Sequence, residues 1–172
     1  MSNHRLTQLQ PYPFERLREL HKDWQHHGEL AHIPLSLGEP KHPPPRFVVE
    51  ALANADALTQ QLGIYPATKG NDDLRLAISE WLERRFAISV DPDQQILPVY
   101  GTREALFAVA QALLSGKPGS LVGMPNPFYQ IYEGAALLAG ASPLYIANLE
   151  ENDYRADFAA VTDAQWQAIE MV

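Results

Sequence analysis

The spacing of apolar residues divides the chain into a helical first half and an alternating second half. Four apolar residues recur at helical spacing, namely Phe14, Leu17, Leu20 and Trp24. They predict a first helix from about Phe14 to His27, with Gly28 as its stop. A second helix is predicted from Phe47 to Gln60. The proline-rich stretch before it predicts an extended connector.

The clearest helix prediction covers Asp72 to Phe86. Asn71 precedes it and is a good N-cap, because its side chain can accept hydrogen bonds from free backbone N–H groups. The apolar stripe of this helix consists of Leu74, Ala77, Ile78, Trp81 and Leu82.

Beyond residue 90 the pattern changes to short apolar runs separated by amphipathic segments. Strands are predicted at 96–100, 120–124 and 143–147, with helices at 102–115 and 127–139 between them. This βαβαβ order is the signature of a parallel sheet with right-handed crossovers. A weak helical stretch follows at 162–170, where a further strand would be due, so we expect an α/β fold whose sheet is incomplete.

Composition excludes several classes of function. The 172 residues carry a formal net charge of -8 without any lysine or arginine cluster, so a nucleic-acid partner is not expected. There are no cysteines, which excludes disulfides and thiolate metal sites. The N-terminus lacks the apolar region of a secretory signal and no window suits a membrane span, which predicts a cytoplasmic protein.

The histidines do not form a metal-binding pattern. All six lie within the first 42 positions, and the closest pair, His26 and His27, is adjacent in sequence. Adjacent helical side chains diverge, and no carboxylate completes a known zinc motif, so no metal is expected.

One candidate for chemistry is the turn from the first predicted strand into a helix. Gly101 allows close approach to the backbone, and the helix that starts at Thr102 offers free N–H groups to an anion such as phosphate. Arg103 could aid the phosphate, reach an acidic substrate arm, or pair with an acidic neighbour. The alternative is an ordinary crossover helix with Thr102 as its N-cap.

Two other turns are candidates. Tyr129 follows the second predicted strand, on the same rim of an open sheet, where its ring could stack on a planar ligand. Alternatively, Phe128, Tyr129 and Tyr132 are core aromatics at the start of a helix. Gly38 could let a substrate carboxylate reach the backbone, or could simply form a turn.

Four motifs in this order resemble the fold-type-I pyridoxal-phosphate aminotransferases of the aspartate-aminotransferase class. They are Gly38-Glu39-Pro40, Tyr65 with Gly70 and Leu74-Arg75-Leu76-Ala77-Ile78, Gly101-Thr102-Arg103-Glu104-Ala105-Leu106, and Pro127-Phe128-Tyr129-Gln130-Ile131-Tyr132. A closer resemblance is to bacterial N-succinyldiaminopimelate aminotransferases. It rests on three stretches, Pro11 to Leu17, Gly38 to Pro43 and Asn126 to Ala136.

The resemblance implies a function, a fold and a division into domains. Glutamate would donate its amino group to N-succinyl-2-amino-6-oxopimelate, in lysine and diaminopimelate biosynthesis. An aspartate- or alanine-type aminotransferase and a non-catalytic fragment are the alternatives. The chain would be the N-terminal portion of the PLP-dependent transferase fold type I. Residues 1–45 would form an arm and small-domain segment, and residues 46–172 the first part of the large cofactor-binding domain.

The resemblance also implies roles for individual residues. Gly101, Thr102 and Arg103 would hold the phosphate of pyridoxal 5'-phosphate, and Tyr129 would stack on its ring. The substrate carboxylate would lie beside Gly38. A homodimer is implied as well, since Tyr65 would reach the phosphate bound by the neighbouring subunit.

No catalytic residue is assigned within the chain itself. In the resembled family the Schiff-base lysine and a carboxylate-binding arginine come from a downstream half. The four lysines here are Lys22, Lys41, Lys69 and Lys117, and none has the family's sequence context. We therefore expect a truncated chain that is inactive alone, and an active full-length parent protein.

Overall fold

A computed structural model describes residues 3–25 and 27–172, so His26 of the histidine pair lies outside the described residues. The chain divides into two units. Unit 1 combines residues 3–19 with Val99–Val172, and unit 2 is Leu20–Pro98. Among the described residues, none of the helices combines the length and apolar character that crossing a membrane requires.

Helices α1 to α4 occupy the first half of the chain. They are α1 Pro13–His21, α2 Arg46–Leu52, α3 Ala55–Gln61 and α4 Asp72–Phe86. Helix α4 has the predicted bounds, and its predicted N-cap is confirmed. The Asn71 side chain accepts hydrogen bonds from the N–H groups of Asp73 at 2.8 Å and Leu74 at 3.4 Å.

Two helix predictions were wrong in extent. Helix α1 ends at His21, before the predicted stop at Gly28. Trp24 lies beyond its end, where its N–H donates to the His21 carbonyl at 3.0 Å and its ring contacts His32 at 4.9 Å between ring centroids. The helix predicted over 47–60 is two helices. The Asn54 side chain accepts from the Ala57 N–H at 3.1 Å and starts α3 anew.

Unit 1 contains a three-stranded parallel sheet with order β2-β1-β3. Its strands are β1 Leu121–Asn126, β2 Ser142–Ala147 and β3 Ile169–Met171, and its helices are α5 Thr102–Leu113, α6 Ile131–Ala139 and α7 Asp163–Ala168. Strands β1 and β2 pair from Leu121–Ser142 to Asn126–Ala147, and β3 pairs on the other side of β1. The predicted α/β class with an incomplete parallel sheet is confirmed, but the helix predicted over 162–170 ends at Ala168 and its last residues belong to β3.

The strand predicted at 96–100 is absent from the structure. Pro98 lacks an N–H donor and packs its ring on Gly70, where an added Cβ would lie 2.6 Å from Pro98 Cγ. This contact fixes Pro98 beside Gly70, and residues 96–100 form no strand. The helix predicted from Pro127 also begins later, at Ile131.

The core of unit 1 lies between β1 and the two helices α5 and α6. Met124 is 1% exposed, and Ala110, Val122, Ala135 and Ala136 are buried around it. Helix α5 buries only part of its apolar side. Ala110 is buried, whereas Leu106, Val109 and Leu113 are exposed.

The edge strand β3 is tied to the turn between α5 and β1 by Glu170. Its carboxylate accepts hydrogen bonds from the Ser115 N–H at 2.7 Å and from the hydroxyls of Ser115 and Ser120. These donors, the Ser115 hydroxyl first, favour the charged carboxylate and lower the pKa of Glu170 below its ordinary value.

Candidate functional site

The start of α5 has free backbone donors. Its N-cap is Gly101, no side chain caps it, and the first helical hydrogen bond runs from the Ala105 N–H to the Gly101 carbonyl at 3.2 Å. The N–H groups of Thr102, Arg103 and Glu104 have no acceptor in the described part of the chain. Because these donors sit at the positive end of a twelve-residue helix, they suit an anion.

Gly101 gives this helix start its shape. Its φ of 146° is a conformation that side chains rarely adopt, and an added Cβ would meet no atom within 4 Å. Space is therefore available beside the free N–H groups. The alternative in which Thr102 is the N-cap is wrong, because Thr102 is already the first helical residue.

The guanidinium of Arg103 lies between two tyrosine rings. Its central carbon is 5.8 Å from the ring centroid of Tyr12 and 5.9 Å from that of Tyr129. These are cation–π distances. Arg103 forms no ion pair with any described residue, so the alternative of an acidic neighbour is wrong. The positive charge remains available to a ligand.

The turn after β1 separates the aromatic residues into two groups. Phe128 and Tyr132 pack against the core. For these two residues the alternative of core aromatics at a helix start is therefore correct. The Tyr129 ring is 43% exposed and meets Tyr132 edge to face at 5.8 Å. Tyr129 thus presents an aromatic face beside Arg103, as a stacking residue requires.

Phe128 is fixed by a stack on Tyr145, with ring centroids 5.3 Å apart. The Tyr145 hydroxyl donates a hydrogen bond to the Glu133 carboxylate on α6. Partial burial, together with this carboxylate, disfavours the phenolate and raises the pKa of Tyr145 to about 12. The neutral tyrosine therefore connects β2 to α6 behind the turn that carries Tyr129.

Sequence reasoning gave no role to Tyr12 or Gln130. Both line a cavity of about 290 Å³ together with Arg103. The Nε2 donor of Gln130 is buried without an acceptor among the described residues. The available signals are the stretches Pro11 to Leu17, which contains Tyr12, and Asn126 to Ala136, which contains Gln130; both indicate the family resemblance and assign no chemistry to these two residues.

The remaining candidates, Gly38 and Tyr65, lie in unit 2. An added Cβ on Gly38 would meet nothing within 4 Å, and Tyr65 is 97% exposed. Within unit 1 the structure brings together Arg103 and Tyr129, beside Gly101 and Thr102. Tyr12 joins this group.

The fold is that of aminotransferases of known structure. An aminotransferase from Neisseria meningitidis Z2491 matches with a TM-score of 0.86 and 39% identity over 98% of this chain and 42% of that chain. The aminotransferase AspB from Helicobacter pylori 26695 matches with a TM-score of 0.81 and 34% identity, over 94% of this chain and 41% of that one.

The family follows from the sequence. The model of the family described as aminotransferase class I and II matches residues 31–171. The chain belongs to this family, whose members depend on pyridoxal phosphate.

The LL-diaminopimelate aminotransferase of Natranaerobius thermophilus is 30% identical over 95% of this chain and 42% of its own length. The chain thus spans about two fifths of the length of this relative.

Proposed function

We propose that the parent protein is a pyridoxal-phosphate-dependent aminotransferase and that the start of α5 holds the cofactor phosphate. The observation that carries this proposal is the helix start at Gly101, where three backbone N–H groups lack an acceptor beside Arg103 and Tyr129. Family membership supports the same chemistry.

The described residues fit the cofactor by their chemistry. The backbone at Gly101, Thr102 and Arg103 would hold the phosphate, with the Thr102 hydroxyl as a further donor. The exposed ring of Tyr129 would stack on the pyridine. When bound, pyridoxal phosphate supplies an aldehyde for the amino group and a ring that accepts electrons. The chain's own residues bind and orient it.

The side chain of Arg103 supports an acidic substrate. Its guanidinium has no ion-pair partner within the described residues, and the two tyrosine rings hold it in place. We propose that it reaches a carboxylate on the far arm of the substrate, while Gly38 lies beside the α-carboxylate. This suits N-succinyl-2-amino-6-oxopimelate as amino acceptor and glutamate as donor.

We also propose a homodimer in which Tyr65 reaches the phosphate bound by the other subunit. Its side chain is 97% exposed and so is available to a second copy. In the same proposal, residues 1–45 form the arm and small-domain segment, and residues 46–172 form the first part of the large domain.

The proposal is tested with the full-length protein. We expect pyridoxal phosphate to produce a visible absorbance band that amino donors change, and N-succinyl-LL-diaminopimelate to exceed aspartate and alanine at least ten-fold in kcat/KM. The reaction is followed in reverse, as glutamate formed from 2-oxoglutarate. Absence of a band, or a band that no amino acid changes, would contradict the aminotransferase proposal.

A second candidate substrate is LL-diaminopimelate without the succinyl group. The names of two relatives favour it, since those from Natranaerobius thermophilus and Dehalococcoides mccartyi are LL-diaminopimelate aminotransferases at 30% and 32% identity. The same assay with plain and succinylated donors separates the two candidates. A higher kcat/KM for the plain compound would replace our first choice of substrate and leave the reaction class unchanged.

A further inference from the structure

The side chain of Arg5 caps the end of helix α6, although the two lie far apart in sequence. Its Nη1 donates a hydrogen bond to the Leu138 carbonyl at 3.0 Å. Leu138 lies in the last turn of α6, where carbonyls have no partner within the helix and where the helix dipole favours a cation. The contact therefore joins the N-terminus of the chain to α6.

Gly140 leaves room for this guanidinium. An added Cβ on Gly140 would lie 2.6 Å from Arg5 Nη2, whereas one on Gly116 would meet the Ala139 carbonyl at 2.8 Å and would stand at ordinary contact distance, 3.8 Å, from Arg5 Nη2. The φ of 93° at Gly140 already favours glycine at the end of α6. A side chain at position 140 would also have to displace the Arg5 guanidinium, which is the end of a flexible side chain.

From Arg5, residues 3–12, here called the arm, extend to the other end of α6. The 3-10 helix His4–Gln8 contacts α6. Farther on, Leu9 to Pro13 line the 290 Å³ cavity together with Ile131 and Gly134 of the first turns of α6. Nine helical residues span roughly 13 Å. From Arg5, three steps of the 3-10 helix at roughly 2 Å and four extended steps to Tyr12 at roughly 3.3 Å reach roughly 19 Å, so the arm is long enough to run the length of α6.

At its far end the arm places Tyr12 against Arg103. The Tyr12 ring is one of the two that flank the guanidinium, and Tyr129 is the other. Loss of the arm from α6 would remove half of these ring contacts and widen the space open to Arg103. The Arg5 contact and the Tyr12 contact thus lie at opposite ends of α6.

We propose that Arg5 is a positioning residue for this site: by holding the arm on the C-terminus of α6, it keeps Tyr12 against Arg103. The proposal rests on the proposed function, in which Arg103 binds a carboxylate at the far end of the substrate. Arg5 itself touches neither substrate nor cofactor in this scheme. Its effect passes through Tyr12 alone, so it should alter substrate affinity and not the chemical step.

The test compares Arg5→Gln and Arg5→Lys with a control, Arg18→Gln, in the full-length protein. Arg18 is an exposed arginine of α1 that pairs with Glu15 of the same helix at 2.9 Å, so we expect its loss to leave the arm in place. Hydrogen–deuterium exchange of residues 3–12 reports whether the arm stays on α6. Steady-state kinetics report KM and kcat for N-succinyl-LL-diaminopimelate, and titration reports cofactor affinity.

For Arg5→Gln we expect faster exchange across the arm and a KM raised roughly three- to ten-fold, because one cation–π contact is lost. The kcat and the cofactor affinity should stay within two-fold of wild type. Arg5→Lys should have a KM close to that of wild type, since an ammonium group can also donate to the Leu138 carbonyl. The control variant should match wild type in every measurement.

Two results would overturn the proposal. Unchanged exchange of the arm in Arg5→Gln would mean that Arg5 does not hold it. Faster exchange with an unchanged KM would mean that the arm has no part in positioning Arg103. Failure of the proposed function would be seen separately, as a wild-type protein that catalyses no transamination. In that case hydrogen–deuterium exchange of residues 3–12 would still decide whether Arg5 anchors the arm.

Discussion

Helices α4 and α5 begin in opposite ways. At α4 the Asn71 side chain accepts from two backbone N–H groups, and the first turn carries Asp72 and Asp73. At α5 the N-cap is Gly101, which has no side chain to accept a hydrogen bond. The chain's own residues therefore satisfy the positive end of α4 and leave that of α5 for a ligand.

An arginine lies near the start of each helix, and the two arginines differ in the same way: one has acceptors within the chain and the other does not. Arg75 of α4 is 3% exposed, and its donors reach the carbonyls of Pro92 at 2.9 Å and Gly70 at 2.7 Å. It also donates to the carboxylates of Asp72 at 2.6 Å and Asp93 at 2.8 Å. The Arg103 guanidinium, by contrast, meets ring faces. A buried arginine with acceptors on every side holds the fold together, whereas one without acceptors can bind a substrate or cofactor.

The largest effect should come from Arg75→Met. This change leaves the Gly70 and Pro92 carbonyls without their donor and frees two loops from α4, so the thermal unfolding midpoint should fall by roughly 5 to 10 °C. Calorimetry or circular dichroism measures it. The matched control is Arg84→Met on the same helix, whose ion pair with Glu80 is exposed and long at 3.5 Å.

Arg84→Met should shift the midpoint by at most about 1 °C, because exposed pairs contribute little. Equal shifts of the unfolding midpoint for the two variants would contradict the view that the hydrogen bonds of Arg75 stabilise the start of α4.

The α4 start could be predicted from sequence, while the α5 start could be predicted only in part. The Asn71 side chain caps its own helix, and this local signal does not depend on a distant partner. Gly101 and Thr102 also gave a local signal, and the resemblance gave them a role. The contact between Arg103 and Tyr12 could not be predicted, because Tyr12 lies 91 positions away and no periodicity connects the two residues.

The failed strand prediction has a similar cause. Residues 96–100 have the apolar composition of a buried strand, but Pro98 packs on Gly70, which lies 28 positions earlier. A strand needs a neighbour to pair with, and composition cannot show which neighbour a segment will meet. The predictions at 120–124 and 143–147 succeeded because α6 joins the two segments through a short crossover.

Asn71→Ala should have an intermediate effect. It removes the acceptor for two N–H groups of α4, and loss of such a cap costs about 1 kcal/mol in the free energy of unfolding. Chemical denaturation measures the change. Cofactor affinity of the full-length protein should stay the same, so a weakened affinity would show that the two helix starts are not independent.

Thr102→Ala should have the smallest effect on stability and the clearest effect on binding. Thr102 is exposed, and its hydroxyl has no hydrogen bond within the described residues, so the free energy of unfolding should change by less than about 0.5 kcal/mol. If the hydroxyl donates to the cofactor phosphate, affinity for pyridoxal phosphate should fall roughly ten-fold, as for one hydrogen bond to a charged group.

Thr59→Ala is the matched control, because the hydroxyl of this exposed threonine on α3 donates within its own helix to the Ala55 carbonyl at 2.7 Å. Its loss should leave cofactor affinity unchanged in the same absorbance titration. A Thr102 variant that destabilised the protein as much as Asn71→Ala would mean that the hydroxyl caps α5. The proposed difference between the two helix starts would then be wrong, because side chains of the chain itself would cap both of them.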